Sequence, residues 1–179
     1  MKLLFLTHDS SCIGGAQKCL LDLIKGIKEI HADWKIYMIF PDHGDMIDKC
    51  SPYLEDYFIL KMKWQLVPKD KISFGKRISY INRLIRSTRK LITYLRIVRP
   101  DYTLSNTIVI PHLALASMCL KIKHIWFLHE VPNITWSNID LLFGKTFTFK
   151  AVNKLSYKVI VPSEYASRYF QSYIHCCPV

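Results

Sequence analysis

Three features predict an α/β domain built on an open parallel sheet flanked by helices. Short, unbroken apolar runs recur along the chain, as expected for strands buried on both faces of a parallel sheet. Between them stand stretches whose apolar residues repeat at helical spacing. The two kinds alternate from the first residues to the last, the pattern of strand–helix–strand crossovers. At 179 residues the chain is long enough for one such domain with a sizeable core.

Residues 2–7 read as the first strand and residues 8–13 as a polar loop. Gly14 and Gly15 then open a helix over 16–30, with Cys19, Leu20, Leu23, Ile24, Ile27 and Ile30 on one face. Residues 34–40 are a second strand ended by Pro41, 44–50 a short helix and 57–60 a third strand. Residues 61–73 lack a period and read as a loop. A long helix spans 75–98. Its apolar face is Ile78, Ile81, Leu84, Ile85, Thr88, Leu91, Ile92, Leu95 and Val98, its cations lie opposite, and Pro100 stops it. Residues 101–104 form the fourth strand and 110–120 a helix that tolerates Pro111 in its first turn. Residues 124–128 form the fifth strand and 131–138 a loop. A helix over 144–155, a sixth strand over 158–161 and a helix over 164–172 capped by Ser163 complete the order.

Composition narrows the class. Half of the residues are hydrophobic and 22% are charged, which excludes a disordered chain. The opening apolar run is only Leu3 to Leu6 before His8 and Asp9, too short for a secretory core. The longest apolar stretch, 108–120, contains Pro111 and His112 and falls short of the roughly twenty residues of a spanning helix. A cytoplasmic protein is expected. The six cysteines form no C-x-x-C pair, so free thiols are expected rather than a disulfide framework or a metal site.

The net charge of +11 is concentrated. Between Lys61 and Arg99 stand twelve cations against one acid, Asp70, so this segment carries the whole imbalance. It reads as a solvated helix face, a nucleic-acid surface or an anionic-membrane surface. Aromatic residues are interleaved, but no nucleic-acid-binding motif accompanies them. The membrane reading fits better: each cation near anionic lipid contributes about 1 kcal/mol. Lys63, Trp64, Arg83, Arg86, Arg89 and Lys90 are its expected contacts, with Trp64 suited to the interface.

Ligands of open parallel sheets sit beyond the strands' carboxyl ends. The polar residues placed there are His8-Asp9-Ser10, Gly14-Gly15, Ser105-Asn106-Thr107, His129-Glu130 and Ser163-Glu164. Gly14-Gly15 is neither a dinucleotide fingerprint nor a P-loop. It either exposes helix N–H groups to an anion or permits close packing of helix and strand. His129 and Glu130 either position a substrate hydroxyl and share a proton, or hydrogen-bond the neighbouring loop. Ser105-Asn106-Thr107 offers small donors or a cap and turn. Asp9 either orients a polar ligand or is solvated.

The ordered set KLLFLTHDSSCIGGAQKCLLDLIKGI, the long helix into VRPDYTLSNT, HIWFLHEVP and YKVIVPSEYASRYF resembles the N-terminal domain of GT-B-fold glycosyltransferases of the family 4 type. These act in bacterial polysaccharide and lipopolysaccharide assembly. The resemblance implies a Rossmann-like domain, one half of a GT-B fold, that faces the acceptor across a cleft and touches membrane. It implies His129 and Glu130 as catalytic residues near the transferred sugar. It places Gly14 and Gly15 near the donor diphosphate and acceptor; with Asp9, Ser105, Asn106 and Thr107, read from their strand-end positions, they make the expected substrate-binding set. A nucleotide-sugar is the implied substrate, with no cofactor and no metal.

The family's donor-binding residues belong to a second domain. Residues 1–175 are thus expected to be the acceptor-side domain and 176–179 the start of a hinge, so the chain alone is expected to be inactive. The implied partners are a nucleotide-sugar donor, held by a further domain or a partner chain, a glycan or lipid-linked acceptor, and the inner face of an anionic membrane. The alternatives are a non-catalytic, membrane-recruiting subunit that pairs with a donor-binding chain and, third, a basic nucleic-acid-binding domain. The family's Gly-His turn after the first helix is replaced here by Ile30-His31-Ala32-Asp33.

Overall fold

The structure, a computed structural model, describes residues 1–71, 73–131 and 138–175. In chain order the elements are β1 (Lys2–Leu6), α1 (Gly15–Ile30), β2 (Lys35–Phe40), α2 (Asp45–Cys50), β3 (Asp56–Ile59), β4 (Leu66–Pro68) and α3 (Phe74–Val98). Then follow β5 (Tyr102–Ser105), α4 (His112–Cys119), β6 (Lys123–Phe127), β7 (Ile139–Leu141), α5 (Lys145–Leu155), β8 (Lys158–Ile160) and α6 (Glu164–Gln171).

Six strands form one parallel sheet in the order β3-β2-β1-β5-β6-β8. The unbroken apolar run of β1 has a direct cause. Leu4 and Leu6 face a core with Leu91, Leu95, Leu113, Trp126 and Phe149, on the side of α3, α4 and α5. Leu3 and Phe5 face a second core with Leu20, Ile24, Met46 and Phe127, on the side of α1 and α2. Both faces of the strand are covered, so both sets of alternate side chains are apolar.

From β1 the chain builds outward through β2 to β3, then returns to place β5 on the other side of β1, with Leu6 opposite Ser105. The order reverses between β1 and β5, and such a switch point opens a crevice at the carboxyl ends of its two strands. Side-chain caps fix two helix starts: Ser73 Oγ accepts from Lys76 N at α3, and Ser163 Oγ from Ala166 N at α6. Among the described residues no helix is long and apolar enough to cross a membrane.

Three expectations need adjustment. The segment 61–73 is not all loop, because β4 pairs antiparallel with β7, Val67 opposite Asp140. Three-residue strands carry too little periodicity to be read from sequence. The buried face of α1 is Gln17, Leu20, Leu21 and Ile24; Cys19 is exposed and Ile30 is 76% exposed. The apolar face of α3 is only partly used: Leu91, Leu95 and Val98 are buried, whereas Ile78, Ile81 and Ile85 are 45%, 40% and 44% exposed. The hinge expected at 176–179 and residues 132–137 of the expected loop 131–138 lie outside the described residues.

Candidate functional site

The crevice is built from the ends of β1, β5 and β6 and the start of α1. Asn106, fully buried one residue past β5, ties three of these together. Its backbone N–H donates to Leu6 O at 2.9 Å. Its Nδ2 donates to Ala16 O in the first turn of α1 at 2.8 Å, and its Oδ1 lies 2.8 Å from His129 Nε2 beyond β6.

That geometry fixes the histidine. Nδ2 must face the Ala16 carbonyl, because a flipped amide would oppose two oxygens, so Oδ1 faces the ring and Nε2 carries the hydrogen. Burial, followed by the charge of His8, lowers the His129 pKa to about 4, so the ring is neutral at neutral pH. A neutral ring with hydrogen on Nε2 leaves Nδ1 as an acceptor. Among the described residues Nδ1 makes no hydrogen bond, and it is not among the fully buried atoms that lack one. A substrate hydroxyl is the complementary group. A base this weak suits holding a hydroxyl rather than removing its proton.

Glu130 is placed differently. Thr107 Oγ1 donates to Glu130 Oε1 at 2.5 Å, and Ile108 N lies 3.3 Å from Oε2. Both carboxylate oxygens therefore hold the turn after β5. Thr107 Oγ1 also accepts from Val109 N, completing the loop's internal bonding. Ser105 and Thr107 are fully buried, and Ser105 Oγ has no partner among the described residues. Asp9 closes its own turn, Oδ1 accepting from Ser11 N and Oδ2 from Ser11 Oγ, both at 3.0 Å.

Gly14 is the N-cap of α1 in extended conformation, with no side-chain cap, which leaves the first N–H groups of the helix without a capping partner. A Cβ on Gly14 would come within 2.2 Å of Gln17 Oε1, whereas one on Gly15 would meet nothing within 4 Å. The two glycines thus differ: Gly14 makes room for the Gln17 carboxamide, and Gly15 keeps the helix end open. That end combines free N–H groups with the positive pole of the helix.

Two residues outside the expected catalytic and substrate-binding sets belong to this crevice. His8, at the end of β1, has Nε2 3.5 Å from Gln17 Nε2 and packs edge-on against Trp64 with ring centroids 5.2 Å apart. Its position past a strand end was the available signal. Trp64, expected at a membrane, stands at the rim of the crevice. It also lines, with Lys61, Lys63, Arg83, Arg86 and Ser87, an open pocket of about 500 Å³. The ion pairs among the described residues are Lys35–Glu55, Lys49–Asp45 and Arg168–Glu164, so none of these four cations is neutralised by a carboxylate. Arg89 and Lys90 are exposed further along α3 and outside that pocket. Of the expected membrane contacts, the structure therefore gathers Lys63, Trp64, Arg83 and Arg86.

The remaining buried histidines have no part in the crevice. His124 Nδ1 and Ser117 Oγ lie 2.8 and 2.7 Å from Thr103 Oγ1 between the sheet and α4. His112 is fully buried, and among the described residues neither ring nitrogen has a partner. Burial lowers both pKa values to about 3.

No protein-family model matches the sequence, and no curated protein compared with it does either. Solved structures do. The lipopolysaccharide outer core galactosyltransferase WaaB superposes with a TM-score of 0.63 at 12% identity, over 100% of this chain and 45% of WaaB. Anabaena HepE, solved with UDP and glucose, gives 0.62 at 16% identity over 98% and 42%. A UDP-N-acetylglucosamine 2-epimerase from Methanocaldococcus jannaschii gives 0.54 at 14% identity over 99% and 44%. The chain thus spans less than half the length of each of these structures. The likeness establishes the fold, one Rossmann-like half of the GT-B type.

Proposed function

We propose that this chain is the acceptor-binding half of a glycosyltransferase that moves a sugar from a nucleotide-sugar to a glycan or lipid-linked acceptor. Its ordered motifs resemble the family 4 type of bacterial polysaccharide and lipopolysaccharide assembly. The observation that carries the reading is the neutral His129, held by Asn106 beside the open start of α1 at the switch point of the sheet. One group accepts a hydrogen bond from a hydroxyl, and the other offers N–H groups to an anion. An acceptor hydroxyl and a sugar-diphosphate are the two species a glycosyl transfer brings together.

Each residue then has a defined task. His129 Nδ1 holds a sugar or acceptor hydroxyl, and Asn106 sets the ring's tautomer and angle. The N–H groups from Gly15 onward stabilise charge developing on the leaving diphosphate, which preorganised donors do best in a water-poor cleft. Glu130, Thr107 and Asp9 shape the loops that carry these groups. Helix N–H groups and basic side chains carry the diphosphate charge, with no metal in this scheme. The cations around Trp64 hold the protein on the inner face of an anionic membrane, where cytoplasmic nucleotide-sugar and a lipid-linked acceptor meet.

The donor's nucleotide is held by a second domain, in a longer chain or in a partner. The test is reconstitution. The 179-residue chain alone should turn over no nucleotide-sugar, and a donor-binding domain added in cis or in trans should restore transfer. Turnover by the chain alone would overturn the division of labour. Epimerisation of the nucleotide-sugar in place of transfer would overturn the reaction assigned.

A further inference from the structure

Beneath the exposed half of α3 lies a pocket of about 250 Å³ between α3, α4 and α5, distinct from the crevice. Tyr80, Ile81, Leu84, Trp126, Phe143 and Phe147 form much of its wall. Its polar lining is spent or sparse. Gln65 Nε2 donates to Ile108 O at 2.8 Å, and Thr148 Oγ1 to Gly144 O at 3.0 Å. The other lining side chains among the described residues are hydrocarbon or aromatic, and the Oη of Tyr80 and the Nε1 of Trp126 are themselves buried.

The pocket reaches solvent at Ile81 and Phe147, which are 40% and 61% exposed. From Ile81 an apolar stripe continues along α3 through Phe74, Ile78 and Ile85, spaced by three and four residues and therefore on one helical flank. A stripe of this kind next to an apolar cavity marks a binding surface rather than scattered exposure.

Charge says what kind of ligand fits. Arg83 and Leu84 are adjacent in the chain, as are Trp64 and Gln65. In each pair the first residue lines the basic pocket and the second lines the apolar one. The two pockets stand side by side across the same stretch of α3. Arg77, whose Nε donates to Leu142 O at 3.2 Å, adds a cation one residue from Phe143. The basic pocket in turn meets the crevice through the Trp64–His8 contact.

We propose that the apolar pocket takes the hydrocarbon chain of a phosphate-bearing lipid acceptor, whose phosphate is held by Arg83, Arg86, Lys61 and Lys63. This rests on the acceptor reading above and narrows it. The acceptor is an amphiphile engaged one molecule at a time, rather than a bilayer against which the protein only adsorbs. Hydrocarbon in the pocket and phosphate among four unneutralised cations leave the rest of the head group beside His8 and His129.

The test uses the 179-residue chain and decyl phosphate below its micelle concentration, followed by calorimetry and by the fluorescence of Trp126 in the pocket wall. Saturable one-to-one binding is expected, at least tenfold tighter than inorganic phosphate or an uncharged alkyl glucoside. Ala151→Phe, which fills the pocket, should weaken it at least tenfold. The surface pair Arg83→Glu/Arg86→Glu, which leaves the core untouched, should do the same while circular dichroism stays native. Absence of saturable binding would overturn the proposal. So would binding unchanged in both variants, or a dimer in sedimentation that buries the α3 stripe. Perturbation of the His129 ring by a soluble glycan acceptor reports on the crevice separately, so failure of the lipid site and failure of the acceptor reading give different results.

Discussion

His129 Nε2 lies 2.8 Å from Asn106 Oδ1, and the other end of the same amide is committed to Ala16 O. One buried residue thereby joins the ends of β1, β5 and β6 to the start of α1, its backbone N–H reaching Leu6 O and its side chain the other two. Asn106→Ala removes both bonds and leaves a buried carbonyl and a ring N–H unpaired. The expected loss of stability is about 2 kcal/mol or more, at ~1–3 kcal/mol for each stranded group. Urea unfolding measures it. Asn106→Asp should restore the ring contact but not the bond to Ala16, and should recover only part of the loss.

Gly15 allows helix geometry and donor function to be separated. Proline is tolerated at a first helical position, and Gly14, at φ −71 and ψ 152, already has the conformation that precedes a proline. Gly15→Pro should therefore fold normally while deleting one N–H at the crevice. Affinity for a diphosphate-bearing ligand should fall several-fold with no loss of thermal stability. Gly14→Ala should instead displace the Gln17 carboxamide, seen as a shift of the His8 ring resonances.

The carboxylate and hydroxyls beyond β5 should sort by partner. Ser105→Ala deletes a buried hydroxyl without a hydrogen bond and should be neutral or slightly stabilising. Thr107→Val breaks the bond to Glu130 and the one to Val109 N, and should cost about 1–3 kcal/mol in chemical denaturation.

Acid should destabilise the fold through its buried histidines. Burial holds the folded-state pKa values of His112 and His124 at about 3, below the ordinary value of 6.5. The unfolded chain therefore takes up protons first as the pH falls. Their contribution is fully present above pH ~6.5 and is lost progressively towards pH ~3, up to ~4 kcal/mol for each group. Unfolding midpoints measured between pH 7 and 4 should fall steadily. His112→Phe, which removes two unpartnered ring nitrogens, should flatten that fall.

Much of the fold was legible because both faces of the central strands β1 and β2 are buried, leaving runs such as LLFL with no polar alternation; the positions of Gly14, Asn106 and His129 at the strand-end edge followed from the order of elements. What each strand-end residue does was not legible. Spacing cannot show that Glu130 turns back to Thr107, or that Asp9 closes on Ser11, because those bonds depend on loop conformation. The pairing of β4 with β7 joins segments some seventy residues apart and has no local signal. The periodicity of α3 identified an apolar face but not that its first half would remain uncovered at Ile78, Ile81 and Ile85.

The acceptor assignment of the crevice is tested most directly by nitrogen-resolved NMR of the His129 ring, in the free chain and during titration with soluble glycan acceptors and with UDP. A ring neutral down to about pH 4, with hydrogen on Nε2, is predicted. Glycan acceptors should shift Nδ1, while UDP alone leaves the ring in place and shifts at most the amides of Gly15 and Ala16. An ordinary pKa near 6.5, hydrogen on Nδ1, or a ring that responds to UDP and not to acceptors would contradict it.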